Sequence, residues 1–186
     1  MGRMTNVRPL KFRVATLEDA PQVQQLVQAA FRAEDSRVDW TADMRLGRSF
    51  HYSVEEVLNT MVNPDAAIII ASDQNGVLLG SVGIIKRNDG LARFAMLSVD
   101  PERQCGGVGR QVLAHAEDFA RNWGARTAGL GALSSREKLI EWYERCGYKK
   151  SGDTSPFPVD RIHHLDLPKD LCFIELEKDI TAAGSS

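Results

Sequence analysis

Apolar positions along this chain switch between a period of two and a helical period, and the switches mark out its elements. Lys11–Ala15 alternates, which predicts a short strand with Phe12 and Val14 facing one way. Val23, Leu26, Val27, Ala30 and Phe31 then recur at helical spacing. That helix is entered through Thr16-Leu17-Glu18-Asp19, with Thr16 as N-cap, acids in the first turn and Pro21 early enough to be tolerated. Ser53 caps a second helix, Val54–Met61, which Asn63-Pro64-Asp65 ends. Ala66–Ser72, Val77–Lys86 and Leu91–Val99 read as strands, and the turns Asp73-Gln74-Asn75-Gly76 and Asn88-Asp89-Gly90 make them an antiparallel meander. Gly80 and Gly83 predict a bulge or a close backbone approach in the middle strand.

Val112, Leu113, Ala116, Phe119 and Ala120 form one face of a further helix that ends near Trp123-Gly124, and Thr127–Leu133 is the next strand. Ser134 and Glu137 have the spacing of a capping box, opening a helix with Leu139, Ile140, Trp142 and Tyr143 close to one face. Gly147 suits its left-handed C-cap. A strand begins at Tyr148–Ser151, Gly152–Lys169 is expected to be a long loop containing Pro156-Phe157-Pro158, and Leu171–Glu177 is the last strand. Strands alternating with helices and a meander predict a mixed α/β (α+β) domain over 11–178, between a flexible N-terminus, 1–10, and a flexible tail, 179–186. The stretch 33–52 is polar and shows no period.

Composition narrows the class only by exclusion. A formal charge of −2 gives no reason to expect nucleic acid or an anionic membrane as partner. No apolar run approaches the ~18 residues of a membrane span, and the N-terminus lacks a signal-peptide core. Met1-Gly2 begins like a myristoylation site, but Asn6 stands where Ser or Thr is required. The cysteines, Cys105, Cys146 and Cys172, have no metal-ligand spacing and leave an odd thiol, which predicts a reducing, cytoplasmic compartment. His163-His164 near Asp166 lacks a third spaced ligand, so no metal is expected.

The chemistry-bearing stretch begins where the strand Leu91–Val99 stops at Asp100-Pro101. Three glycines in four positions, Gly106-Gly107-Val108-Gly109, lead into a helix. A strand, a glycine turn and a helix N-terminus make an anion site: the first amides have no helical partner, the dipole adds positive charge, and glycine lets a phosphate approach the backbone. Arg103 and Arg110 flank the loop. Gly109 is followed by Arg110-Gln111, so this is not a P-loop, and Val112 stands where a dinucleotide fingerprint needs its third glycine. The pattern that fits is Q/R-x-x-G-x-G/A, from Gln104 through Cys105, Gly106, Gly107 and Val108 to Gly109. It resembles the coenzyme A pyrophosphate loop of the GNAT superfamily of N-acetyltransferases.

Two further stretches carry the same resemblance. Tyr143-Glu144-Arg145-Cys146-Gly147-Tyr148 is similar to the superfamily's Y-x-x-x-G-[FY] signature, and the opening from Arg13 to Val27 resembles its usual start. Arg136 to Tyr148, with Pro156-Phe157-Pro158 downstream, looks like a bacterial and fungal subgroup with R-x-E-L-x-x-W-Y-x-R-x-G-Y and P-F-P. Lys138 departs from that pattern, and Arg136 stands where many members carry an Asn that contacts the cofactor. The resemblance implies a mostly antiparallel mixed sheet splayed after the fourth strand, with helices on both faces. It implies acetyl-CoA as cofactor, and transfer to an amine by direct attack in a ternary complex. Leu97, Ser98 and Val99 would pair with the pantetheine amides. Amides from Cys105 to Arg110 would hold the pyrophosphate, with Gln104 and Arg136 as further cofactor contacts. Tyr143 occupies the position of the usual general acid. Many relatives form dimers, so a homodimer is compatible.

The base and the acceptor are less legible. Leu91–Val99 carries no acid, only Arg93, and Asp100 and Glu102 suit turn and cap roles. His51 is the candidate base, with a base acting through ordered water, or no dedicated base, as the alternatives. Trp40, Arg45, Arg48, Tyr52 and Phe157 are the candidate acceptor-binding residues. A small-molecule amine is the preferred acceptor over a peptide amine, a protein N-terminus or a lysine. A non-catalytic acyl-CoA sensor and an interaction module are the other classes.

Overall fold

A computed structural model describes residues 9–33, 46, 49–158 and 169–182. Seven strands form one mixed sheet: β1 Lys11–Val14, β2 Ala66–Ser72, β3 Leu78–Lys86, β4 Leu91–Val99, β5 Thr127–Leu133, β6 Lys149–Pro156 and β7 Cys172–Asp179. Their order across the sheet is β1-β2-β3-β4-β5-β7-β6. Only β4 and β5 run parallel, as the crossover through an intervening helix demands. The helices are α1 Ala20–Arg32, α2 Val54–Val62, α3 Val108–Asn122 and α4 Glu137–Arg145.

Two apolar layers sandwich the first half of the sheet. Alternation in β2 sends Ile69 and Ala71 to one face and Ile68 and Ile70 to the other. The first face packs under α3 and α4, against Val112, Leu113, Ala116, Ile140, Tyr143 and Tyr148. The second is covered by α1 and α2 through Val23, Val27 and Val57. Ser53 accepts from the Glu56 amide at 3.2 Å while the Glu56 carboxylate accepts from the Ser53 amide at 2.8 Å, so a complete capping box starts α2. Gly80 is required by packing: a Cβ there would meet Val112 Cγ2 at 2.8 Å.

Several expectations change. Thr16 heads a turn of 3₁₀ helix, Leu17–Asp19, before α1 begins, and its amide donates to the Asp19 carboxylate at 2.7 Å. Phe12 and Val14 do face one way, opposite Ala71 and Ile69, but Val14 is 47% exposed while Phe12 stacks on His115 at 4.2 Å. Ser134 caps nothing: α4 begins after Arg136, and the Ser134 hydroxyl instead accepts from the Cys172 amide at 3.3 Å. The first residues of the expected long loop, Gly152 to Pro156, are strand, with Gly152 at φ +95° where the β6–β7 register shifts. Of the residues placed in the tail by sequence, Asp179 ends β7 with its side chain exposed and Ile180 is buried, at 1% exposed.

Candidate active site

β4 and β5 pair only at Leu91↔Thr127, Ala92↔Ala128 and Arg93↔Gly129, and then part. Both strands continue, to Val99 and Leu133, so a V-shaped opening lies between them. A bulge in β4 shapes that edge: Ser81 pairs with Ser98 but Gly83 pairs with Ala95, so the β4 strand carries one extra residue opposite Val82. The extra residue is Met96, at φ +54°. The bulge shifts the phase of the strand. Phe94 faces the α3 layer, Met96 joins the α1–α2 layer, and Leu97 and Val99 return to the α3 layer.

The Asp100 amide donates to the Leu79 carbonyl at 2.8 Å, so the peptide groups of residue 100 point toward β3. Alternation then turns those of Leu97 and Val99 toward the opening, while Ser98 faces β3 and its hydroxyl donates to the Met96 carbonyl at 3.1 Å. Leu97 and Val99 thus form a short unpaired strand edge.

The glycine turn sits at the mouth of the opening. Asp100 accepts from the Glu102 amide at 3.0 Å and starts a 3₁₀ turn, Pro101–Gly106, that contains Gln104 and Cys105. Gly107 is left-handed, at φ +73°, and swings the chain into α3. The first helical carbonyl is taken by the Gln111 amide, onto Gly107, at 3.1 Å. The amides of Val108, Gly109 and Arg110 therefore have no helical partner, and Gly106, Gly107 and Arg110 are exposed. A Cβ on Gly109 would touch both Val99, at 3.5 Å, and the Trp142 ring, at 3.6 Å. The helix N-terminus thus lies between the end of β4 and the face of α4 that carries Tyr143.

Tyr143 is 6% exposed, edge-on to Trp142 at 5.1 Å and to Tyr148 at 6.0 Å. Burial pushes its hydroxyl well above the ordinary phenol range, against the opposing field of Arg136. Its hydroxyl bonds to no described residue, yet Ser81 Oγ is the one sealed polar atom without a partner among the described residues. The Tyr143 hydroxyl therefore reaches open space as a protonated donor. Behind it, Lys178 donates to Glu117 at 2.8 Å and to the Cys146 carbonyl at 3.0 Å, and Tyr148 donates to Glu117 at 3.0 Å. This cluster ties the C-terminus of α4 to α3 and β7.

A splayed parallel pair, a bulged edge and a glycine turn opening a helix are features of one known architecture. The acetyltransferase (GNAT) family model matches residues 23–148, which is most of the chain. The protein belongs to the GNAT acetyltransferase family. No curated protein matches it by sequence. Among solved structures it is similar to the ribosomal-protein-S18-alanine N-acetyltransferase of Escherichia coli, at 19% identity and a TM-score of 0.69 over 96% of this chain and 98% of that one. The PaiA N-acetyltransferase of Thermoplasma acidophilum, solved with coenzyme A, shares 17% identity with a TM-score of 0.68 over 92% and 99%. A Bacillus subtilis acetyltransferase, also solved with coenzyme A, shares 18% identity with a TM-score of 0.66 over 92% and 99%. At these identities the likeness is one of fold.

GNAT acetyltransferases use acetyl-CoA, and the site fits it. An unpaired strand edge suits the amides of the pantetheine arm, and unpartnered helix amides suit a pyrophosphate.

The acceptor side is only partly in view. Trp40, Arg45 and Arg48 lie outside the described residues, as do His163, His164 and Asp166. His51 is exposed, and no contact among the described residues joins it to Tyr143 or to the opening. Tyr52 is 7% exposed and strapped to α1, whose Gln28 accepts from its amide at 2.9 Å and whose Gln24 donates to its carbonyl at 2.7 Å. With Thr60, Ser81 and Met96 it lines a cavity of about 40 Å³ beside the bulge, which no ionised side chain faces among the described residues. Burial raises the Tyr52 hydroxyl too, so this cavity stays neutral. Phe157 follows β6 directly and packs on Phe173 with ring centroids 5.8 Å apart.

One cluster escaped the sequence. Arg93 grips Glu175 of β7 through both guanidinium nitrogens, at 2.6 and 3.1 Å, and Ser155 donates to the same carboxylate at 2.6 Å. Burial pushes the Glu175 carboxyl up, but the bonds from Arg93 and Ser155 outweigh it and leave the group below its ordinary value. Residues 82 positions apart gave no local signal.

Proposed function

We propose that this protein transfers an acetyl group from acetyl-CoA to the amine of a small molecule, by direct attack in a ternary complex. The observation that carries the reading is the β4–β5 opening with the bare N-terminus of α3 at its mouth. Bound acetyl-CoA supplies a thioester whose acyl carbon the unprotonated amine attacks, the C–N bond forming as the C–S bond breaks. Amides of Val108, Gly109 and Arg110 hold the pyrophosphate, and the helix dipole adds to their pull. The peptide groups of Leu97 and Val99 would align the arm in the opening. Tyr143, kept protonated by burial, donates its hydrogen bond to the departing sulfur. The acceptor ammonium loses one proton to water before attack and a second to solvent as the amide forms, while the released thiolate gains one through Tyr143; the Glu175 carboxylate, engaged by Arg93 and Ser155 and held below its ordinary value, is a weak base.

Isothermal titration of acetyl-CoA, followed by thiol release against an amine library, tests this. Gly106→Glu is the matched variant: space around a Cβ at Gly106 is open, and its backbone is not left-handed, so the fold survives while a negative charge enters the anion site. Binding by the wild type alone, with amine-dependent thiol release, is the expected result. Equal binding by both proteins overturns the placement of the pyrophosphate. Binding without release by any amine favours an acyl-CoA sensor, a reading to which the lack of an unengaged carboxylate on β4 lends support.

A further inference from the structure

The opening between β4 and β5 does not end in a wall. On the face that α1 and α2 cover elsewhere, β5 presents Gly129 and Gly131, residues i and i+2 with no side chain. A Cβ at Gly129 would stand 3.1 Å from Leu91 Cδ1, and one at Gly131 would stand 3.1 Å from Arg93 Nη2. Their missing side chains leave room for Leu91 and Arg93 to lie over β5, at the inner end of a trough beside the last β4–β5 pair, Arg93↔Gly129. It continues as a groove of about 630 Å³ toward the β3–β4 turn, walled by Leu91, Arg93, Ser155 and Glu175 and ending at Arg87, Asn88 and Asp89. No described helix covers it.

Most charges in this groove are already engaged. Glu175 is held by Arg93 and Ser155, and the Asp89 carboxylate is turned to the Leu91 amide at 3.1 Å. Arg87 is exposed and makes no ion pair with a described residue, and Arg93 keeps N–H groups beyond the two it gives to Glu175. Arg87 is therefore the groove's cation without an ion pair among the described residues, while the Asp89 carboxylate at the same end, bonded only to an amide, keeps its charge. From Arg93 to the unpaired edge at Leu97 the strand rises about 10 Å, three steps of ~3.3 Å, because the bulge at Met96 adds a residue without a full step.

We propose that this trough is the distal part of the acceptor site and takes a carboxylate carried at the far end of the acceptor, Arg87 being the specificity-determining residue. The acceptor is then an extended amine with an anionic tail, its amine in the opening and its carboxylate between Arg87 and Arg93. This deepens the acetyltransferase reading and rests on it.

The test uses three acceptors of one length with the intact protein: ω-aminooctanoate, octylamine and α,ω-diaminooctane. With acetyl-CoA, kcat/KM for aminooctanoate should exceed that for octylamine by about tenfold, the discrimination of one charge-assisted contact, with diaminooctane the poorest. The ratio should fall to near one in Arg87→Ala and invert toward diaminooctane in Arg87→Glu, an exposed hairpin position where neither change threatens the fold. Equal rates for aminooctanoate and octylamine, a preference for the diamine, or a preference indifferent to Arg87 overturns the proposal. If acetyl-CoA binds and none of the three turns over, their affinities for the coenzyme A-loaded protein decide, with the same ranking expected and any other ranking overturning it. Failure of the parent reading shows separately, as no binding of acetyl-CoA to the wild type.

Discussion

The two halves of the sheet are built from the same kind of strand and finished differently. β2 and β3 are covered on both faces, and their residues are buried almost end to end. β5 and β7 are covered by α3 and α4 on one face only, the edge strand β6 is exposed, and the other face carries glycine, serine and an ion pair in place of a helical layer. Burial contributes roughly 25 cal/mol for each Å² of apolar surface removed from water, so the first half supplies most of the stability. The second half forgoes that on one face, and a polar groove lined by Arg93, Ser155 and Glu175 remains there. The line between the halves is the β4–β5 opening. The proposed cofactor site thus lies where the sheet stops being a continuous ladder, with unpaired peptide groups held by the packed half.

The largest effect expected from breaking this contrast is on rate. Tyr143→Phe removes a hydroxyl that bonds to no described residue, so the urea midpoint should hold while kcat falls by about 10²–10⁴-fold, the usual range for a general acid. A parallel loss of stability would move Tyr143 into the structural half. Next comes a matched pair of truncations. Ile70→Ala, at 5% exposure beneath α1 and α2, should cost about 2–5 kcal/mol in urea unfolding. Phe173→Ala, half-buried on the uncovered face, should cost less than Ile70→Ala despite its larger side chain. Equal costs would mean that the second face is covered after all.

The smallest effect is at the outer edge of the packed half. Arg13 bonds Asp19 at 2.7 and 2.8 Å and, with the Thr16 amide, holds its carboxyl down at about 2. The folded pKa lies below the unfolded ~3.9, so this stabilisation is complete above about pH 4 and is lost as pH falls toward 2. Arg13 is more than half exposed, which limits the pair to below about 1 kcal/mol. Urea midpoints of wild type and Asp19→Asn should therefore differ slightly at pH 7 and converge near pH 2, and a difference that persists at pH 2 contradicts the assignment.

β2, β4 and β5 were legible to the residue because each is an apolar run closed by turn residues. Gly107 and Gly147 were legible as punctuation for the same local reason, and both have positive φ. β6 was not. It is an edge strand wetted along nearly its whole length, so it has no alternation to detect, and its polar residues read as loop until pairing with β7 defined them. The Ser134 box failed because the Cys172 amide, 38 residues away, reaches its hydroxyl. The change of phase at Met96 was not legible either, since the bulge there answers to the β3 register.

By itself the sequence determined the order of elements, the glycine turn at a helix N-terminus and the tyrosine on the following helix, all set by residues within a few positions of one another. Tertiary structure alone decided that β4 and β5 part after Arg93, that Leu97 and Val99 face the gap while Ser98 does not, and that Arg93 meets Glu175. The reason is physical. Periodicity and capping act along the chain, whereas an unpaired edge, a shared trough and an ion pair across strands exist only once distant segments have been placed side by side.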